Sequence, residues 1–288
     1  MRAHVVVGTD GSPFSLAAVE WAAADAARRR CALRIVHAYD PRAYDIPVRT
    51  PPGLRDSILE HCQGLLDTAE STARERAPGT EVHTRLEAGR PVEVLRREAE
   101  DAAQVVVGGR GRGGFAELVL GSVSLALAGH AAAPVVVVKG GPRETRGEVV
   151  VGFDASAHSA ATLAYAFEEA YRRAAGLHAV HTWQMPVLGP GAIAYTPLVE
   201  DISVTELRLA REALAPWREK YPEVDVVETV VRGHPVPAIE KASATADLVV
   251  VGSRGRSALG AALLGSVSHG VLHHVHCPVA VVSVPDGA

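Results

Sequence analysis

Short runs of consecutive apolar residues alternate along this chain with longer stretches in which apolar residues recur every three to four positions. The short runs read as strands and the periodic stretches as amphipathic helices. In the first half the strands are Val5–Val7, Leu33–Ala38, Val82–Ala88, Gln104–Gly108 and Val135–Val138. A first helix follows Ser12, a natural N-cap, with Pro13 suited to the first helical position. Further helices are predicted from Leu54 to about Ala77, over Val92–Ala102 and over Ser122–Ala132. Runs such as VVVV and LVVVG are apolar at every position, so both faces of the sheet are expected to be buried. With β-α-β alternation this predicts an α/β fold: open parallel five-stranded sheets flanked by helices, Rossmann-like in plan.

The pattern then repeats at an offset of 144 residues. Gly8-Thr9-Asp10-Gly11-Ser12 matches Gly152-Phe153-Asp154-Ala155-Ser156, and His37 matches His181. Val105–Arg112 matches Val249–Arg256, and Leu120–Ser124 matches Leu264–Ser268. A constant offset implies duplication of a whole domain. The expected domains are 1–140 and 147–288, joined by a Gly-rich, charged linker from Lys139 to Gly147.

Composition narrows the function classes. A net charge of −4 gives no electrostatic reason to expect a nucleic-acid or anionic-membrane partner. Three cysteines, far apart and in no metal-ligand spacing, suit a reducing cytoplasm, and no run approaches the ~18 apolar residues of a membrane span. The expectation is a cytoplasmic protein. The basic run Arg28-Arg29-Arg30 reads as a solvated helix end.

Ligands of open parallel sheets sit beyond the carboxyl ends of the strands. There the chain carries Gly108-x2-Gly111-x9-Gly121-Ser122 and, in the second half, Gly252-x2-Gly255-x9-Gly265-Ser266. Glycines allow close backbone approach, and a helix opening at Gly-Ser turns free N–H groups toward an anion. Ser122, Ser124, Ser266 and Ser268 add hydroxyls, and Arg110 and Arg254 add guanidinium groups. The plain alternative is a tight turn with a helix cap, which the double occurrence disfavours.

Other motifs weaken under the repeat. Gly109-x-Gly111-x-x-Gly114 satisfies a dinucleotide fingerprint, but its counterparts are Ser253, Gly255 and Ala258, and it follows the fourth strand rather than the first. No Walker A loop is present in the sequence. Asp10 and Asp154 follow the first strand of each half, either as helix-start carboxylates or as polar contacts to a nucleoside. His37 and His181 read as core histidines rather than catalytic bases, and His273-His274-x-His276 as a helix end rather than a metal site. Catalytic and metal-ligating residues are therefore assigned to none.

The glycine loops, VGTDGS and VGFDAS, and the closing APVVVVK and CPVAVVSV resemble the universal stress protein family, in its tandem, ATP-binding branch. The resemblance implies an adenine-nucleotide-binding fold and ATP as ligand, with Mg2+. It implies that Gly8, Asp10 and Ala38 border the adenosine and that Val107 and Gly108 flank the ribose. Arg110, Gly111, Gly121, Ser122, Val123 and Ser124 would surround the phosphates and magnesium. The matching positions are Gly152, Asp154, Thr182, Val251, Gly252, Arg254, Gly255, Gly265, Ser266, Val267 and Ser268. The implied function is ATP-regulated conformation or partner choice in a stress response. A nucleotide-independent adaptor and a slow ATPase are the rivals. A homodimer and unidentified protein partners stay open.

Overall fold

A computed structural model describes residues 4–40, 53–111, 120–141, 144–156, 158–184, 196–254 and 264–283, with 196–198 described in their backbone alone. The chain divides into two compact units, residues 1–144 and 145–288.

The first unit runs β1 (His4–Gly8), α1 (Pro13–Arg29), β2 (Ala32–Tyr39), α2 (Leu54–Arg76), β3 (Val82–Ala88), α3 (Pro91–Asp101), β4 (Gln104–Gly108), α4 (Ser122–His130) and β5 (Val135–Val138). Its strands are ordered β3-β2-β1-β4-β5 and every pair is parallel. The chain therefore moves outward from β1 to β3, then crosses over to β4 on the other side of β1. That reversal opens a crevice between the ends of β1 and β4. α1 packs on α2 and α3 on α4, giving a helix layer on each face. Val5–Val7, Val105, Val106 and Val135–Val137 have no exposed surface, as uninterrupted apolar strands require.

The second unit repeats the plan: β6 (Glu148–Phe153), α5 (Ser159–Arg173), β7 (Gly176–Trp183), α6 (Thr196–Lys220), β8 (Val226–Arg232), α7 (Pro235–Ala242), β9 (Leu248–Gly252), α8 (Ser266–His274) and β10 (Val279–Val282). Its order is β8-β7-β6-β9-β10, again all parallel.

The basic run departs from expectation. Arg30 is exposed at the left-handed C-cap (φ 53°), but the Arg29 side chain is only 7 % exposed and reaches Asp25 at 2.6 Å and Gln104 at 2.8 Å. Asp25, 1 % exposed, also accepts from Arg28 at 3.0 Å and from Gln104 at 2.7 Å. The run is thus half a buried ion-pair cluster rather than a solvated helix end. A buried carboxylate persists where several donors replace its lost water. The second unit builds the same device from Glu169, Arg172 and Arg173.

Candidate nucleotide site

In the first unit, Thr9 N–H still donates to Val36 O (3.0 Å) as β1 ends. The chain then reverses at Gly11 (φ +75°), a conformation glycine adopts without penalty. Ser12 caps α1: its Oγ accepts from Ser15 N–H at 3.2 Å. Ser12 N–H in turn donates to Asp10 Oδ1 at 3.0 Å, fixing the carboxylate. The other carboxylate oxygen lies over the loop after β4, because a Cβ built on Gly111 would stand 2.7 Å from Asp10 Oδ2. A residue just past β1 and one just past β4, about a hundred positions apart in sequence, thus meet at the crevice.

The β4 side is pinned at both ends. Gly109 N–H donates to Val138 O (2.8 Å), and Gly121 N–H donates to Gly109 O (2.7 Å). Ser124 Oγ donates to Gly108 O at 2.7 Å. Gly108 has no room for a side chain: a Cβ would lie 2.7 Å from the carbonyl carbon and oxygen of Phe14. The Arg110 guanidinium sits 5.5 Å from the centre of the Phe14 ring, a cation–π contact that holds it beside the loop.

α4 opens at Ser122 with Gly121 as N-cap and no side-chain cap. The first helical bond is Leu125 N–H to Gly121 O. The amides of Ser122, Val123 and Ser124 therefore precede the helical ladder and are donors for an anion. Ser122 is exposed, whereas Ser124 is buried with its hydroxyl proton committed to Gly108. Ser124 is left with its backbone N–H to offer rather than its hydroxyl, because a buried hydroxyl aimed elsewhere would forfeit its partner. Val107 is buried within β4, and Ala38 is half-buried on β2, one strand away from β1.

The second unit keeps the plan with different fittings. Asp154 Oδ1 accepts from Ser156 N–H (3.1 Å), Ser156 Oγ (2.6 Å) and Ser159 Oγ (2.7 Å). Ser156 spends its hydroxyl on that carboxylate instead of on a cap, and α5 starts at Ser159, two positions later than α1 in the repeat. Gly265 N–H donates to Ser253 O (2.8 Å), and Ser268 Oγ lies 3.2 Å from Ser253 O and from Gly265 O. Gly265 caps α8 with no side-chain bond, and Ser266 is exposed. Gly152, one residue before the end of β6, lies under Ile239 as Gly8 at the end of β1 lies under Leu95. Val251 is buried, Gly252, Arg254, Thr182 and Val267 are half-buried, and Gly255 lies outside the described residues.

Both histidines hold strand ends. His37 Nδ1 lies 2.7 Å from Thr9 O, and His181 Nδ1 lies 3.1 Å from Phe153 O. His181 Nε2 also meets Glu206 on α6 at 2.8 Å, which the first unit cannot copy because Cys62 occupies the matching position. Sequence reasoning missed Ser15 and Ser159, although a D-x-S-x-x-S spacing repeated at both sites was available to find them.

The universal stress protein family profile matches the chain twice, over residues 1–139 and 145–283. The chain belongs to the universal stress protein family. This tandem universal stress protein is 38 % identical to universal stress protein Rv2005c of Mycobacterium tuberculosis over 288 residues, covering 96 % of each chain. It is 37 % identical to universal stress protein Rv2623 of the same organism over 285 residues, covering 96 % of this chain and 95 % of the relative. Among solved structures it resembles a universal stress protein from Archaeoglobus fulgidus, with a TM-score of 0.70 at 20 % identity, covering 100 % of this chain and 98 % of the other. Among the described residues no helix is long and apolar enough to cross a membrane, and no group of three or more His, Cys, Asp or Glu could hold a metal ion.

Proposed function

We propose that each unit of this universal stress protein binds one ATP, as its magnesium complex, in the crevice between β1 and β4 or between β6 and β9. Occupancy then biases the protein's conformation or choice of partner under stress. The observation that carries this reading is where α4 and α8 begin. Each opens, with no side-chain cap, on a glycine (Gly121, Gly265) whose N–H is tied back to the loop after the preceding strand, at Gly109 O and Ser253 O, so its first-turn amides lie beside the crevice. Such ends complement a phosphate with backbone donors and the positive helix terminus. Arg110 and Arg254 stand at the same loops. Magnesium prefers hard oxygen ligands, which phosphate and the exposed Ser122 and Ser266 hydroxyls would supply. Asp10 and Asp154, already fixed by backbone donors, would accept from the nucleoside.

Alanine fits Gly121 without strain, since the atoms nearest an added Cβ lie at 3.5 Å or more, and Gly265 is only slightly tighter at 3.2 Å. The Gly121→Ala, Gly265→Ala double variant should therefore fold and yet crowd the phosphates. Calorimetry with Mg-ATP should find about two sites per native chain and a loss of at least ~10-fold in affinity in the variant. Failure of freshly purified native protein both to release nucleotide on denaturation and to bind Mg-ATP overturns the reading.

A further inference from the structure

We propose that His269 and His273 form a bidentate site for a late divalent transition metal, of the Ni2+ or Cu2+ class, on the flank of α8. Residues four apart on a helix share a face, and here both are imidazoles. Their ring centres lie 4.5 Å apart with planes inclined at 36°; His269 is exposed and His273 half-buried.

The spacing selects the metal class. A metal about 2.1 Å from one nitrogen of each ring stands about 3.2 Å from each ring centre. Centres 4.5 Å apart then subtend close to a right angle at the metal. That is the cis angle of tetragonal or octahedral coordination rather than the wider tetrahedral one, and N,O-ligated tetragonal sites favour Cu2+ and Ni2+. The two imidazoles occupy two cis positions, and further donors, water among them, complete the shell.

The pair is not part of the duplicated machinery. The matching positions in the first unit are Leu125 and Gly129, so the pair is particular to the second unit. His274 follows immediately but points a further 100° around the helix, and His276 lies beyond the C-cap Val275. This inference does not depend on nucleotide binding.

The test uses untagged, EDTA-stripped full-length protein titrated with Ni2+ in a calorimeter. One strong site per chain is expected. At free Ni2+ ten times the dissociation constant, the melting temperature should rise by about 3–6 °C. His269→Ala, at an exposed helical position, should fold normally and lose both effects, while His274→Ala keeps them. With Cu2+, electron paramagnetic resonance should show two nitrogen ligands in the native protein and fewer in His269→Ala. Absence of binding by the native chain, or unchanged binding by His269→Ala, overturns the proposal.

Discussion

Replacing Gly108 by alanine puts a methyl group 2.7 Å from the carbonyl carbon and oxygen of Phe14 and 2.9 Å from Ser15 N. These are backbone atoms in the first turn of α1, so no side chain can swing aside. Ordinary contact begins at 3.4 Å, so β4 and α1 must separate by about 0.7 Å, 3.4 minus 2.7. α1 is anchored by Ala18, Ala22, Ala23 and Ala26, all without exposed surface, and withdrawal loosens every one of those contacts. An overpacking cost of about 3 kcal/mol follows. At the equivalent Gly252 the same methyl meets Arg254 O and Thr162 Oγ1, each at 3.1 Å. A loop carbonyl and a hydroxyl can yield by a few tenths of an ångström, so the cost falls to about 1 kcal/mol or less. Because the chain holds two compact units, a single global melt would blend the effects. Peptide-resolved hydrogen exchange without nucleotide separates them. Gly108→Ala should speed exchange in β1, α1 and β4 by roughly 100-fold, and Gly252→Ala should speed that of β6, α5 and β9 by ~5-fold or less. Equal losses, or a larger loss at Gly252, would refute the packing argument.

Ala155→Gly should stabilise the second unit by about 0.5–1 kcal/mol, read as slower peptide-resolved hydrogen exchange in β6 and α5, because Ala155 sits at φ +55° where the first unit has Gly11. Asp25→Ala strands the largely buried Arg29 side chain and should cost about 3–5 kcal/mol in the first unit; a loss under about 1 kcal/mol would contradict the buried-pair reading. Burial, then the nearby Arg34 guanidinium, holds the His4 imidazole below its usual 6.5. The unfolded chain therefore takes up that proton first, and the contribution of His4 is intact above pH 6.5 and lost as pH falls from there toward the lowered value. His4→Gln should flatten that part of the stability–pH curve relative to native protein, as measured by urea midpoints at pH 7, 6 and 5.

The strands Gln104–Gly108 and Val135–Val138, buried at every position, were legible to the residue, and so was Val82–Ala88, although its burial is only partial; Val5–Val7 came out one residue short at each end of His4–Gly8. Continuous burial makes a short apolar run easy to locate, while polar neighbours that still pair in the sheet, such as His4, blur its limits. Helix ends drifted by a residue or two, as at Pro91, where proline itself occupies the first turn that the pattern began at Val92. The glycines and Asp10 were legible because a 144-residue offset repeats them. What stayed hidden depended on distant partners. Arg29 looks like surface charge until Gln104, 75 residues on, closes over it. Ser124 looks like a free hydroxyl until Gly108, 16 residues back, claims its proton. Glu206 carries no local signal that it will meet His181.

The bend after β6 is the same corner as the bend after β1. The second copy makes the left-handed turn at Ala155 where the first has Gly11, and its neighbouring serines brace the carboxylate instead of capping the helix. Here the backbone follows the same path without the residue best suited to it. A search for the letters Asp-Gly-Ser would pass over this half of the molecule, whereas a search by torsion angle would find the same corner twice.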